Sequence, residues 1–199
     1  MTVVFDAVAL LATVTFGSNL KTIGTYAFKG CAAFGDITIP GHIRQLGSSI
    51  FSGCDNVRNF TFEASDEAIE FISGNPMGGR ALESLTLDRI VPGISGTVAK
   101  HITMGEVWEK VPDQFFSGMS ELISVSLPST LQTIEERVFN GCKNIESVVS
   151  LAKIPPVCGN EAFDSEIYPK AVLTVPMGSR RKYVAPKHSR GGWCPDHGA

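Results

Sequence analysis

The stretch Leu122-Ile-Ser-Val-Ser-Leu-Pro-Ser-Thr-Leu-Gln-Thr-Ile-Glu-Glu-Arg-Val-Phe-Asn-Gly-Cys142 decides the fold, because the same pattern occurs four times in the chain. The other copies span residues 11–31, 34–54 and 99–119. Within each adjacent pair of copies, equivalent positions recur at one fixed step, as from Phe28 to Phe51 and from Phe116 to Phe139. Such a fixed step indicates one supersecondary unit copied along the chain.

Each copy begins with a short strand and ends with a turn. Val125 and Leu127 alternate with polar residues, which is the spacing of a strand with one buried face. Pro128 then ends the strand, because proline has no amide hydrogen to donate. The apolar residues that follow have nearly helical spacing but span too few residues for a full helix, so they predict a helical or 3₁₀ turn. A glycine after each turn suits a corner with positive φ; these glycines are Gly30, Gly53, Gly118 and Gly141.

The repeat therefore predicts a solenoid with a parallel sheet on one face and short helical or 3₁₀ turns on the other. Regular coils fill residues 11–62 and 99–150, and residues 151–199 form a terminal coil or cap. Residues 63–98 are irregular, because the step is longer than usual from Phe60 to Leu85 and much shorter from Leu85 to Ile102. We expect about eight coils of roughly 23 residues in a single domain, residues 1–199, since stacked coils share one core.

The composition is that of a folded protein and offers little for nucleic acid or membrane. The chain has 199 residues, 43% hydrophobic and 19% charged, which is enough for a core and argues against intrinsic disorder. A net charge of −3 lacks the basic footprint of nucleic-acid binding. No stretch is long enough for a transmembrane segment. If the protein is exported, we expect its signal to be absent from this chain.

The consensus Leu-x-x-Val-x-Ile-Pro-x-x-Leu-x-x-Ile-Gly-x-x-Ala-Phe-x-Gly-Cys resembles the repeat of BspA-like leucine-rich repeat surface proteins. The resemblance is strong over residues 11–62 and 99–150 and weak over residues 63–98. It implies a leucine-rich repeat solenoid that is secreted or displayed at the cell surface by a host-associated bacterium. It also implies adhesion to a protein or glycoprotein, with no catalytic residue and no cofactor.

The strand register predicts which side chains point away from the core. If Val14 and Phe16 are buried, Thr13 and Thr15 face outward. The equivalent outward pairs are Asp36/Thr38, Asn59/Thr61, Ser84/Thr86, His101/Thr103 and Ser124/Ser126. These residues form the candidate ligand-binding face, in which the second member of each pair carries a hydroxyl.

Two explanations of this hydroxyl row remain open. Threonine favours strands, and stacked like residues pair well, so the row can serve only the stability and solubility of the sheet. Alternatively, the row is part of an extended binding surface, as solenoids commonly have. The column formed by the first member of each pair is more varied in its side chains, and recognition of a specific ligand requires such variety. The irregular segment 63–100, which begins with an acidic stretch, is a second candidate, because insertions in repeat arrays often bind.

We expect no metal site from the five cysteines. Cys31, Cys54 and Cys142 occupy one repeat column and behave as small buried hydrophobes. Cys158 and Cys194 lie outside that column, and the sequence leaves open whether they form a disulfide after export. Cys194 and His197 supply too few ligands for zinc.

Two classes of function remain. The first is a non-enzymatic, exported adhesion module that binds through the sheet face. The alternative is a structural spacer with no ligand of its own. No nucleophile elbow or phosphate loop appears in the sequence, so we expect no catalysis.

Overall fold

The computed structural model describes the backbone of residues 2–3 and all of residues 10–183. The chain divides into two compact units, residues 1–99 and residues 100–199. The domain boundaries expected from the sequence stay a prediction.

The first unit consists of two parallel sheets through which the chain passes in turn. Its described strands are β1 (Thr2–Val3), β2 (Thr22–Ile23), β3 (Ile37–Ile39), β4 (Gln45–Leu46), β5 (Asn59–Phe62), β6 (Glu70–Phe71) and β7 (Ala81–Leu87). The longer strands pair in the order β3, β5, β7. The two-residue strands pair in the order β1, β2, β4, β6. A coil thus contributes one longer and one shorter strand.

The second unit has the same construction. Its described elements are β8 (Val98–Met104), β9 (Lys110–Val111), β10 (Ser124–Leu127), β11 (Thr133–Ile134), β12 (Ser147–Ser150), β13 (Val157–Cys158), a 3₁₀ helix (Ser165–Ile167), β14 (Val172–Thr174) and α1 (Arg180–Tyr183). The longer strands pair in the order β8, β10, β12, β14, and the shorter ones in the order β9, β11, β13. The predicted parallel-sheet solenoid is confirmed, with about seven turns instead of about eight.

Strand ends and buried columns agree with the repeat. β3 ends at Ile39 before Pro40, and β10 ends at Leu127 before Pro128. The repeated phenylalanines are buried and stack between neighbouring coils: Phe28 lies 5.3 Å from Phe51 between ring centroids, and Phe139 lies 4.7 Å from Phe163. The cysteine column is buried as predicted (Cys31, Cys54 and Cys142).

The first strand expected from the sequence, at Val14 and Phe16, is not formed. Residues 13–17 keep the alternating exposure, but residues 11–17 have no strand assignment. One described backbone hydrogen bond joins them to the next coil, from the Gly35 amide to the Ala12 carbonyl at 3.3 Å. A single bond does not make a ladder.

The second half of a coil holds more structure than was predicted. A two-residue strand comes first, and the predicted 3₁₀ turn follows it. In that turn the Cys31 amide donates to the Phe28 carbonyl at 3.2 Å, and the Cys142 amide donates to the Phe139 carbonyl at the same distance. The glycine that ends the turn has positive φ in each regular coil, at Gly30 (73°), Gly53 (75°), Gly118 (78°) and Gly141 (78°).

A second column has positive φ without glycine. It contains Tyr26 (56°), Ser49 (49°), Gln114 (56°), Arg137 (53°) and Glu161 (52°). A side chain in this left-handed region costs about 1–2 kcal/mol. The conformation points the amide at the next coil, as from Gln114 to the Glu136 carbonyl at 3.0 Å, so an inter-coil hydrogen bond offsets the strain.

Candidate functional site

The outward columns of the first unit lie in register as predicted. Thr38 pairs with Thr61, and Thr61 pairs with Thr86. Asn59 pairs with Ser84 in the neighbouring column. Since these side chains lie one strand spacing apart, about 4.8 Å, they form two parallel rows on the surface. We call Thr38, Thr61 and Thr86 the threonine row, and Asp36, Asn59 and Ser84 the amide row.

The side chains of the amide row bond to one another. The Asn59 side-chain amide donates to Asp36 Oδ2 at 2.7 Å, and the Asn59 backbone amide donates to Asp36 Oδ1 at 3.0 Å. The Ser84 hydroxyl in turn donates to Asn59 Oδ1 at 2.6 Å. The bond from the Asn59 side chain is the main reason that the pKa of Asp36 lies below its usual range. Much of the hydrogen-bonding capacity of the amide row is therefore used within the protein.

The threonine row differs, because its hydroxyls make no hydrogen bond to any described residue. Thr38 is exposed, and Thr61 and Thr86 are half-buried between their neighbours. Each hydroxyl offers one donor and two acceptor positions to an external group. Which of the two rows contacts a ligand stays a prediction.

The second unit has equivalent outward columns in its own strands. His101 pairs with Ser124, and Thr103 pairs with Ser126. A hydrogen bond of 2.8 Å joins His101 Nδ1 to the Ser124 hydroxyl. Val149 follows Ser126 in the same column, so the hydroxyl row is interrupted there.

A third outward column, which was not predicted from the sequence, follows the ends of the strands. In the first unit this column contains Glu63 and Asp88. The backbone pairing of β5 and β7 extends to these residues, because the Asp88 amide donates to the Phe62 carbonyl at 3.0 Å. Burial raises the pKa of the Asp88 carboxyl. In the second unit the position after β12 is Leu151, which is 47% exposed. Continuing the alternation past each strand end is the signal that finds these residues. This third column therefore ends in carboxylates in the first unit and in an exposed leucine in the second unit.

Thr13 and Thr15, the first predicted site residues, are exposed. They lie in residues 11–17, where no strand forms, so the structure does not hold them in the ladder with the other pairs. Their role in binding stays a prediction.

The acidic start of the irregular segment is held by the protein itself. Glu67 forms an ion pair with Arg44, and Glu70 accepts a hydrogen bond from the Gln45 side chain at 3.0 Å. Glu63 accepts from the Gly41 amide at 3.2 Å. Beneath this loop lies Arg89, which is fully buried. No sequence pattern indicated that this arginine is buried.

The described residues were also searched for a metal site and for a membrane-spanning helix. Within residues 10–183 no three His, Cys, Asp or Glu side chains come together as a metal site. No helix in the described part is both long and apolar enough to cross a membrane. Cys158 is bonded in a disulfide, whereas Cys194 and His197 lie outside the described residues.

Comparison with known proteins agrees with this geometry. A search of curated proteins finds no match. Among solved structures, the chain is similar to a leucine-rich repeat protein from Bacteroides ovatus ATCC 8483, with a TM-score of 0.51 and 19% sequence identity. The match covers 87% of this chain and 51% of that one, so the chain spans about half the length of that protein. The likeness concerns the fold.

The family comparison is more specific. The profile of the BspA type leucine rich repeat region matches residues 2–97 and residues 95–168, in 6 copies. These ranges contain every longer strand from β3 to β12 and both outward rows. The chain belongs to the family of BspA type leucine-rich repeat proteins.

Proposed function

We propose that this chain is a non-enzymatic, exported adhesion module that binds a protein or glycoprotein through the outward face of its longer strands. Leucine-rich repeat domains serve protein interaction or structural roles. Adhesion places the contact on the threonine row, with Thr103 and Ser126 as its counterpart in the second unit.

The observation that carries the proposal is the difference between the two rows. The amide row is bonded internally, whereas the hydroxyls of Thr38, Thr61 and Thr86 have no described partner. An uncharged row at strand spacing offers regular hydrogen bonds without the desolvation cost of charged groups. A partner that presents amides or hydroxyls along an extended surface fits this chemistry.

Export is supported by two features. Cys158 is bonded in a disulfide, and such bonds persist in oxidising compartments outside the cytosol. The surface location implied by the family resemblance points the same way. The surface of a host-associated bacterium is the setting in which such a module would act.

The test is binding of this chain to an immobilised panel of host matrix proteins and mucin glycoproteins. The variant Thr61→Arg, Thr86→Arg puts two bulky cations on the threonine row. A matched variant, Ala32→Arg, Ser120→Arg, adds the same charge at two exposed turn residues outside the sheet and outside residues 63–100. We expect saturable binding by the native chain and by the turn variant, and loss of binding by the row variant with unchanged melting.

Two outcomes contradict this proposal. Equal binding by all three chains would place the contact away from the threonine row. Absence of binding to the whole panel would favour the alternative, a structural spacer that holds other parts of a longer protein at a distance.

A further inference from the structure

The irregular segment owes its extra length to one loop. The loop between β5 and β6 is residues 63–69, whereas the equivalent loop between β3 and β4 is residues 40–44. The register records the difference, since the step from Gln45 to its partner Glu70 is longer than the step from Thr22 to its partner Gln45. The extra residues therefore have to be accommodated beside a regular turn.

The side chain that meets this longer loop is Arg89, two residues after β7. It is 0% exposed, and its guanidinium donates to backbone carbonyls on both loops. Nη1 donates to the Ile43 carbonyl at 3.1 Å and to the Gly41 carbonyl at 3.3 Å, and Nη2 donates to the Glu67 carbonyl. Nε has no described acceptor. Burial, together with the nearby charge of Arg44, lowers the pKa of Arg89.

The three carbonyls do not depend on Arg89 equally. Arg44 Nη1 also donates to the Gly41 carbonyl at 2.6 Å and to the Ile43 carbonyl at 3.3 Å. The Glu67 carbonyl has no other donor among the described hydrogen bonds. Loss of the guanidinium would thus leave the regular turn bonded but deprive the longer loop of the bond at the Glu67 carbonyl.

We propose that Arg89 is a buried latch that fixes the conformation of residues 63–69 against the turn at residues 40–44. Removing the guanidinium leaves the Glu67 carbonyl without its described donor, and the cost of that unmatched acceptor falls on the longer loop. A group with one unmatched donor is a poor source of global stability. The effect of the Arg89 side chain is to select one conformation of the longer loop. This inference does not depend on the adhesion proposal.

The experiment is hydrogen exchange with mass spectrometry on the full chain and on Arg89→Met. The amides that report loop closure are Glu70, which donates to the Arg44 carbonyl at 2.8 Å, and Ile72, which donates to the Leu46 carbonyl at 2.9 Å. We expect exchange in peptides covering residues 63–72 to accelerate by about 10-fold or more, because local opening is made easier there. Peptides covering β10 and β12 should exchange as in the native chain.

Two further variants keep the result interpretable. Arg44→Met removes the ion pair to Glu67 but leaves the Arg89 bond to the Glu67 carbonyl, so a smaller acceleration is expected. Arg89→Lys retains the charge with fewer donors, and it gives the same local readout if Arg89→Met does not fold. The latch is contradicted if Arg44→Met loosens the loop as much as Arg89→Met does. It is also contradicted if the Arg89 variants exchange like the native chain, or faster by the same factor throughout residues 10–99.

Discussion

The ring of Phe139 lies on the ring of Phe116, with centroids 5.2 Å apart and ring planes inclined by 18°. On its other side the ring stacks on Phe163 at 4.7 Å. Phe139 is thus the middle of a buried stack that joins successive coils of the second unit.

Removing this ring should be costly. Phe139→Ala deletes a fully buried side chain, so we expect a loss of about 3–5 kcal/mol in the free energy of unfolding, measured by chemical denaturation. Phe139→Leu retains much of the volume and should lose less. A loss below about 1 kcal/mol for the alanine variant would show that this column does not support the coils.

Substitution of glutamine by glycine should have opposite effects on stability inside and outside the positive-φ column. Gln114 has a φ of 56° and an exposed side chain, so Gln114→Gly should raise stability by about 0.5–1 kcal/mol by relieving strain. Gln132 is exposed and lacks positive φ, so Gln132→Gly should lower stability by about the same amount. Thermal and urea unfolding of both variants decides the matter. Two changes of the same sign would contradict the strain assigned to this column.

The short helix α1 is anchored by the buried hydroxyl of Tyr183. The Tyr183 hydroxyl is 2.7 Å from the Ser150 hydroxyl and donates to the Ala152 carbonyl at 2.8 Å. Tyr183→Phe should cost about 1–3 kcal/mol, because it leaves buried polar groups without this partner. Tyr26→Phe, at a residue 48% exposed, should change stability by less than about 0.5 kcal/mol. Equal urea midpoints for the two variants would show that the Tyr183 hydroxyl holds nothing in place.

Asp36 and Asp88 should titrate in a defined order. The Asn59 side chain lowers the pKa of Asp36, and burial raises that of Asp88, so Asp36 should protonate at the lower pH. Because its folded-state pKa is depressed, Asp36 contributes stability above its unfolded pKa and loses it as pH falls through the folded pKa. Carboxyl chemical shifts measured against pH by NMR give both values.

Asn59→Ala tests the cause of the low Asp36 pKa. This variant should raise the pKa of Asp36, whereas Ser84→Ala leaves both Asp36 hydrogen bonds in place and should change it little. An Asp36 pKa unaffected by Asn59→Ala would contradict the bonding of the amide row.

The column cysteines should be chemically inert in the folded protein. Burial raises the pKa of Cys142 to about 12, and its thiol donates to the Phe116 carbonyl at 3.0 Å. At pH 8 we expect iodoacetamide to modify Cys142 only after unfolding, since the thiolate is the reactive form. Ser120→Cys, at an exposed turn residue, should react at once. Labelling of both residues at similar rates, read by peptide mass spectrometry, would disprove the burial of this column.

Much of the fold follows from the repeat, because its signal comes from apolar side chains that recur with constant spacing. The strands at Ile37 and Val125 and the buried ring of Phe51 could be predicted in this way. The two-residue strands could not, since alternation cannot be recognised in pairs such as Gln45–Leu46. The positive-φ column was hidden because backbone hydrogen bonds between coils impose it, and residues as different as Tyr26 and Arg137 satisfy it.

The sequence predicts which residues lie on the candidate face, but not which of their side chains are already hydrogen-bonded to one another. Register places Asn59 beside Ser84, and this depends only on the period of a strand. Which row is already hydrogen-bonded depends on the rotamers of Asp36 and Asn59, which spacing does not determine. The burial of Arg89 was equally invisible, since it follows from the unequal lengths of two loops.

The constant step also bears on how such a protein changes length. His101 pairs with Ser124, and Ser124 pairs with Ser147, so each partner is displaced by the same repeat length. A deletion of one repeat length within this range joins backbone positions that are already equivalent, and every surviving column keeps its alignment. Unequal recombination between repeats in the gene can therefore shorten or extend the protein by whole turns, changing its reach by about 4.8 Å each time while its cross-section is preserved.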